Sequence, residues 1–90
     1  MEKKKAAALQ YRQGKDHAPR LIAKGQGFLA ERIMKAAKEH NIPLKEDPHL
    51  VEILSSLDLY HEIPPDLYRA VAEILVFVYK MNNTLLNKEK

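Results

Sequence analysis

The chain has 90 residues, a net charge of +3 and no cysteine, so disulfides and thiolate metal sites are excluded and nothing indicates secretion. Ninety residues suit one small domain with a modest core, and an apolar share of 46% is ordinary for a globular protein. We predict one domain over residues 5–81, flanked by a disordered basic N-terminus (residues 1–4) and a frayed tail (residues 82–90).

Two short strands are predicted in the first third of the chain. They cover residues 6–11 and 20–23, and Pro19 stands at the start of the second because proline donates no hydrogen bond to a sheet. Gly25 and Gly27 then turn the chain into a helix over residues 28–40. The predicted apolar face of that helix contains Leu29, Ile33, Ala36, Ala37 and His40.

The two glycines also match, loosely, a dinucleotide-binding fingerprint. A strand of about four residues in so short a chain cannot build the two-halved sheet that such a site requires. A tight strand-to-helix turn is therefore the preferred interpretation, and no cofactor is predicted.

The middle of the chain is predicted to add a third strand and a short helix. Residues 42–46 follow a helix stop at Asn41, and the order strand, helix, strand predicts a compact right-handed parallel crossover. Asp47 caps a helix that begins at Pro48 and ends near Ser56. The fold class is therefore α/β, a small mixed sheet of three to four short strands wrapped by three to four helices.

Residues 58–64 are predicted to be a linker. The longest predicted helix covers residues 63–81, with Pro65 suited to its first helical position. It carries two apolar flanks. The core face contains Leu67, Ala70, Val71, Ile74, Val78 and Met81. The second flank contains Tyr68, Ala72, Leu75 and Tyr79, and Val76 lies within the charged stripe. Two interpretations of the second flank stay open: another helix covers it, or it is a half-exposed binding patch. The helix is too short and too charged to span a membrane, which needs ~20 apolar residues.

No residue pattern indicates catalysis or metal binding. The four histidines lack metal-ligand spacing, and the hydroxyl side chains stand in no nucleophile motif. We therefore predict a protein that is not an enzyme, with no metal site and no small-molecule substrate.

Four stretches of this chain closely resemble the cytoplasmic C-terminal domain of FlhB, the export-switch component of the flagellar type III secretion apparatus. They are residues 8–11 (Ala-Leu-x-Tyr), 18–25 (Ala-Pro-x-Leu-Ile-Ala-Lys-Gly), 42–44 (Ile-Pro-Leu) and 63–75. The virulence-system proteins EscU, SpaS and YscU share this domain. The resemblance covers roughly residues 5–81, and it implies a small sheet wrapped by helices.

The resemblance also implies a site. Family members are thought to receive export substrates on a shallow apolar patch, whose matching positions here are Ala18, Pro19, Ala72 and Leu75. The neighbouring rim would contain Tyr68, Val76 and Tyr79. Family members also cleave themselves within an Asn-Pro-Thr-His motif. No asparagine precedes a proline in this chain, so we expect no self-cleavage.

The expected function is that of a protein-interaction module of the flagellar type III export apparatus. As a monomer at the inner face of the cytoplasmic membrane, it would bind rod- or hook-type export substrates and membrane components of the export gate. The alternative is a small basic nucleic-acid-binding domain, which the dispersal of lysine and arginine among acidic residues disfavours. A third interpretation is a relic with structure but little function.

Overall fold

The computed structural model describes residues 4–88, and their side chains over residues 4–81. Its elements are the antiparallel strands β1 (Lys5–Gln10) and β2 (Arg20–Gln26) and the helices α1 (Phe28–Glu39), α2 (Pro48–Leu54) and α3 (Tyr68–Lys88). A 3₁₀ turn at Pro65–Leu67 leads directly into α3. The predicted α/β class is confirmed. The division into a domain and two tails stays a prediction; residues 1–3 and 89–90 lie outside the described residues.

A β-bulge at Ile22 shifts the alternation of side chains along β2, and so determines which of them point to each face of the sheet. Ala8 pairs with Ala23 and Leu9 pairs with Leu21, so Ile22 has no partner in β1 and the alternation of β2 shifts there. Leu21 is fully buried, whereas Ile22 is 37% exposed. The short sheet can therefore present apolar side chains to helices on both of its faces.

The main core lies between one face of the sheet and helices α2 and α3. Its buried members are Leu21, Leu50, Leu54, Ile63 and Val71. Ala7 and Leu9 of β1 pack against this core, and the alternation along β1 turns the buried Ala6 towards α1. The sheet is thus the middle layer of the domain.

Helix α1 packs through a face that coincides only in part with the predicted one. Ala30 and Ala37 are its buried residues, while Leu29, Ala36 and His40 are exposed. The close approach of α1 to the sheet explains this choice, because alanine lets a helix lie near a backbone that a leucine would hold away.

Gly25 is required by this close approach. A Cβ added at Gly25 would lie 2.5 Å from Cγ and 2.9 Å from Cβ of Leu29, which is closer than van der Waals contact allows. We expect Gly25→Ala to destabilise the domain by about 1–3 kcal/mol through overpacking. Chemical denaturation should show this loss, and Leu29→Ala in the same chain should restore only part of it, because the Cβ of residue 29 stays 2.9 Å away. An unchanged denaturation midpoint in Gly25→Ala would contradict the expectation.

The predicted start of α2 is confirmed. Asp47 Oδ1 accepts a hydrogen bond from the backbone N–H of Leu50 at 3.1 Å, and Pro48 is the first helical residue. Beyond the other end of α2, the Lys24 ammonium donates to the carbonyl oxygens of Ser55 (3.2 Å) and Leu57 (2.5 Å). Strand β2 therefore anchors the C-terminal end of α2.

The predicted third strand and its parallel crossover are wrong, since residues 42–46 form no strand. The N–H of Ile42 donates to Ala37 O at 2.8 Å and so closes the end of α1. Pro43 has no N–H to offer a neighbouring strand. The Lys45 ammonium lies 5.3 Å from the ring centroid of Phe77 on α3. The segment therefore spans from α1 towards α3 instead of joining the sheet.

Candidate functional site

Residues 60–63, which the sequence suggested were only a linker, hold the start of α3 beside β2. The N–H of Tyr60 donates to Leu21 O at 2.6 Å, the N–H of Leu21 donates to His61 O at 3.2 Å, and the N–H of Ile63 donates to Pro19 O at 2.9 Å. Pro19 has no N–H, and it takes part in this pairing through its carbonyl oxygen. These bonds bring the first turns of α3 next to the chain that enters β2.

A shallow pocket of about 190 Å³ opens at this junction. Its lining is mostly apolar and consists of Tyr11, His17, Ala18, Pro19, Ile63, Tyr68, Val71, Ala72 and Leu75. Ala18, Ile63 and Val71 are buried and belong to the walls that the core supports. A dry cavity of about 150 Å³ can hold a benzene molecule, so this pocket is large enough for one aromatic or branched aliphatic side chain.

The pocket brings together all four predicted docking residues. Ala18 and Pro19 are buried, Leu75 is half-buried and Ala72 is exposed. Tyr68 also lines the pocket, as the predicted rim required. Whether ligands bind there is a separate question, and the docking role of these residues stays a prediction.

The other two predicted rim residues do not line the pocket. Val76 and Tyr79 lie on the following turns of α3 and are 52% and 63% exposed. Within the part of the chain whose side chains are described, Tyr68, Ala72 and Tyr79 of the second flank are exposed, Leu75 is half-buried, and no other helix covers the flank. The interpretation in which another helix covers it is wrong.

Sequence reasoning missed Tyr11 and His17 as pocket residues. Both flank the polar loop between β1 and β2. The available signals were the position of His17 next to Ala18 and the place of Tyr11 at the end of the predicted strand, two residues after Leu9. Tyr11 is separated from Pro19 by the whole loop, so its place in the pocket follows from the hairpin alone.

That loop is closed by one ion pair. Asp16 accepts hydrogen bonds from the Arg12 backbone N–H (2.7 Å, to Oδ2) and from the Arg12 guanidinium (3.0 Å, to Oδ1). The N–H groups of Lys15 and Asp16 also donate to Arg12 O. The hydrogen bond from the Arg12 side chain lowers the pKa of Asp16, with further lowering from the Arg12 backbone and from the charge of Arg20.

This lowered pKa predicts acid lability of the loop. A carboxylate whose folded-state pKa is depressed adds stability that is complete above its usual value of 3.8 and is lost as pH falls through the folded-state pKa. Between pH 5 and pH 2, we expect the stability of Asp16→Asn to fall less steeply than that of the wild type. Urea denaturation at several pH values measures this, with Asp58→Asn at an exposed position as the control. Parallel curves for Asp16→Asn and the wild type would contradict it.

Four of the basic side chains in the described part of the chain are paired with acidic ones. Lys4, Lys5, Arg12 and Arg20 each lie within 4 Å of a carboxylate, those of Glu31, Glu52, Asp16 and Glu62 respectively. Acidic neighbours weaken the positive potential that attracts phosphates. The described residues contain no group of side chains suited to hold a metal ion. Among these same residues, no helix has the length and apolar character that crossing a membrane requires.

Comparison with known proteins gives a consistent result. The model of the FlhB HrpN YscU SpaS family matches residues 3–78. YlqH of Bacillus subtilis is 45% identical over 86 residues, which cover 96% of this chain and 92% of YlqH. The flagellar biosynthetic protein FlhB of Yersinia enterocolitica is 46% identical over 77 residues, or 84% of this chain. The chain spans only 20% of the length of that FlhB.

Solved structures resemble the fold closely. The cytoplasmic domain of FlhB from Shewanella putrefaciens superimposes with a TM-score of 0.85 at 32% identity, covering 93% of this chain and 66% of that one. The C-terminal domain of PscU gives a TM-score of 0.79 at 31% identity, covering 82% of this chain and 95% of that domain. These sequence identities are higher than a shared fold alone would produce. The sequence comparison and the structural comparison therefore point to the same family.

Proposed function

This chain belongs to the FlhB HrpN YscU SpaS family of flagellar and type III export proteins, and we propose that it is a docking module of a flagellar type III export apparatus. In this proposal the pocket between β2 and α3 receives an apolar segment of a rod- or hook-type export substrate. Membrane components of the export gate are the second class of partner, and they hold the monomeric domain at the inner face of the cytoplasmic membrane.

One observation carries the proposal. Ala18 and Pro19 are more than 50 residues from Ala72 and Leu75 in the chain, yet all four line one apolar pocket that opens to solvent. A small domain gains nothing from leaving such a surface uncovered, since apolar area exposed to water costs about 25 cal/mol per Å². An uncovered, concave apolar surface is typical of binding sites.

The size of the pocket favours weak and transient binding. Burying one large apolar side chain contributes about 1.5–3 kcal/mol. A dissociation constant of 1 mM already requires about 4 kcal/mol. A single side chain in the pocket therefore binds poorly alone, and the exposed flank of α3 would supply further contacts. Fast release suits a module that passes on many copies of an export substrate.

The module would act without cutting itself. Self-cleavage at an Asn-Pro bond needs an asparagine side chain to attack its own carbonyl, and no asparagine precedes a proline in the printed chain. The proposed docking uses the pocket alone and needs no reactive group.

An amide-shift NMR titration with segments of rod or hook proteins tests the proposal. We expect concentration-dependent shifts that gather around Ala18, Ala72 and Leu75. The absence of shifts at millimolar ligand would refute substrate docking while leaving the family membership unaffected. A strongly salt-dependent shift on adding RNA would instead support the nucleic-acid alternative.

A further inference from the structure

We propose that Arg12 and Asp16 are positioning residues of the pocket, and that their ion pair holds Tyr11 and His17 in place as two of its walls. This inference rests on the proposed docking function. It identifies the loop between β1 and β2 as the part of the chain that sets the affinity of the pocket for its ligand. Neither residue lines the pocket itself. Their effect would pass through the residues directly before and after them in the chain.

The geometry of the loop supports this role. Tyr11 and His17 both line the pocket, and they stand on either side of the five-residue segment from Arg12 to Asp16. Gly14, with φ of 85°, lets this segment turn back within those five residues. The Arg12–Asp16 side-chain bonds reinforce the backbone bonds from the N–H groups of Lys15 and Asp16 to Arg12 O, and together they close the segment into a ring that keeps the two wall residues close.

The bond that closes the ring is protected from water at its acidic end. The Asp16 side chain is only 4% exposed, whereas the Arg12 side chain is 59% exposed. Asp16 Oδ2 accepts from the backbone N–H of Arg12 at 2.7 Å and from its Nε at 3.3 Å, while Oδ1 accepts from the guanidinium at 3.0 Å. Charge-assisted, bidentate hydrogen bonds of this kind fix the relative orientation of the two side chains as well as the distance between them.

The wall residues have few other restraints. Tyr11 follows the last residue of β1 and is exposed, and His17 is exposed as well. Their side chains make no hydrogen bond within the described part of the chain. If the ring opened, a ligand would have to order both side chains when it binds, and that ordering would reduce its affinity.

The hydrogen bonds between Arg12 and Asp16 predict that substitutions at these two residues differ in the size of their effect. Asp16→Ala removes the acceptor for both the side-chain and the backbone donors of Arg12. Arg12→Ala removes only the guanidinium and leaves the backbone N–H bond to Asp16. We therefore expect a larger effect from Asp16→Ala than from Arg12→Ala. Gln13→Ala, at an exposed position of the same loop with no bond to Asp16, is the matched control.

Two measurements on the full chain test the series. The first is the backbone ¹⁵N order parameter at residues 11 and 17 without any ligand, expected to fall from about 0.85 to below about 0.6 in Asp16→Ala. The second is the affinity for N-acetyl-leucine amide, a probe sized for the pocket. It is titrated well above about 1 mM and followed by amide shifts, because a single side chain binds weakly, and its affinity is expected to weaken about tenfold. The melting temperature, measured in parallel, should change little.

The outcomes separate this inference from the proposed function. Unchanged order parameters in Asp16→Ala would overturn the positioning role, and so would lost order with unchanged probe affinity. If the wild type binds neither the probe nor rod and hook segments, docking fails as a function. The ligand-free order parameters then decide the positioning role alone.

Discussion

Ala72→Asp is expected to abolish docking while leaving the fold intact. Ala72 is exposed and lines the pocket, so a larger polar side chain can point to water in the free protein. An apolar ligand would have to cover the new carboxylate, and burying an unpaired charge costs several kcal/mol. We expect at least about a 100-fold loss of affinity for rod or hook segments, with a stability change below about 1 kcal/mol.

The matched control is Ala36→Asp, which makes the same change on the exposed face of α1. It carries a similar helix-propensity cost and adds the same charge, so it should bind like the wild type. Binding is measured by NMR titration and folding by circular dichroism. If Ala72→Asp unfolds the domain, Ala72 is a core residue and the patch interpretation fails. Equal losses of affinity in both variants would point to a long-range charge effect.

Leu21→Ala is expected to cause the largest loss of stability. Leu21 is fully buried and contacts the core between the sheet and helices α2 and α3. Truncating a buried leucine typically costs about 2–5 kcal/mol. A domain of 90 residues has a total stability of roughly 5–14 kcal/mol. The melting temperature should therefore fall by about 10 °C or more.

The neighbouring Ile22→Ala is the control for this variant. It removes an apolar side chain of the same size from the next position of β2, but Ile22 is the unpaired bulge residue and is 37% exposed, whereas Leu21 is fully buried. We expect its cost to be clearly smaller than that of Leu21→Ala. Thermal unfolding followed by circular dichroism compares the two. Similar melting temperatures for both variants would show that the bulge does not divide the strand as the structure indicates.

Much of the local structure could be predicted from the sequence. The capped start of α2 at Asp47 and the 3₁₀ and helical segment that begins at Pro65 follow from short-range rules that act within one or two turns. The second apolar flank of α3 was visible from periodicity alone. The buried face of α1 was not, because its rotation depends on the sheet that it packs against.

The sheet was predicted less well. An extended pattern at residues 42–46 was read as a strand, while residues 60–63 were read as a linker. Their roles are reversed, since the outer edge of β2 bonds to residues 60–63. Both segments are short, mix apolar and charged residues, and contain or adjoin a proline. Which of them reaches the sheet depends on the path of α2, and no local rule contains that path.

By itself, the sequence determined the α/β class and the helix starts, because these depend on residue type and spacing along the chain. Its resemblance to a known family implied the four candidate docking residues. Only the tertiary structure decided that the four residues meet in one pocket, that Tyr11 and His17 complete it, and that Val76 and Tyr79 lie beyond it. The physical reason is distance along the chain. A pocket between residues 11 and 75 exists only once backbone bonds from residues 60–63 have brought α3 against β2.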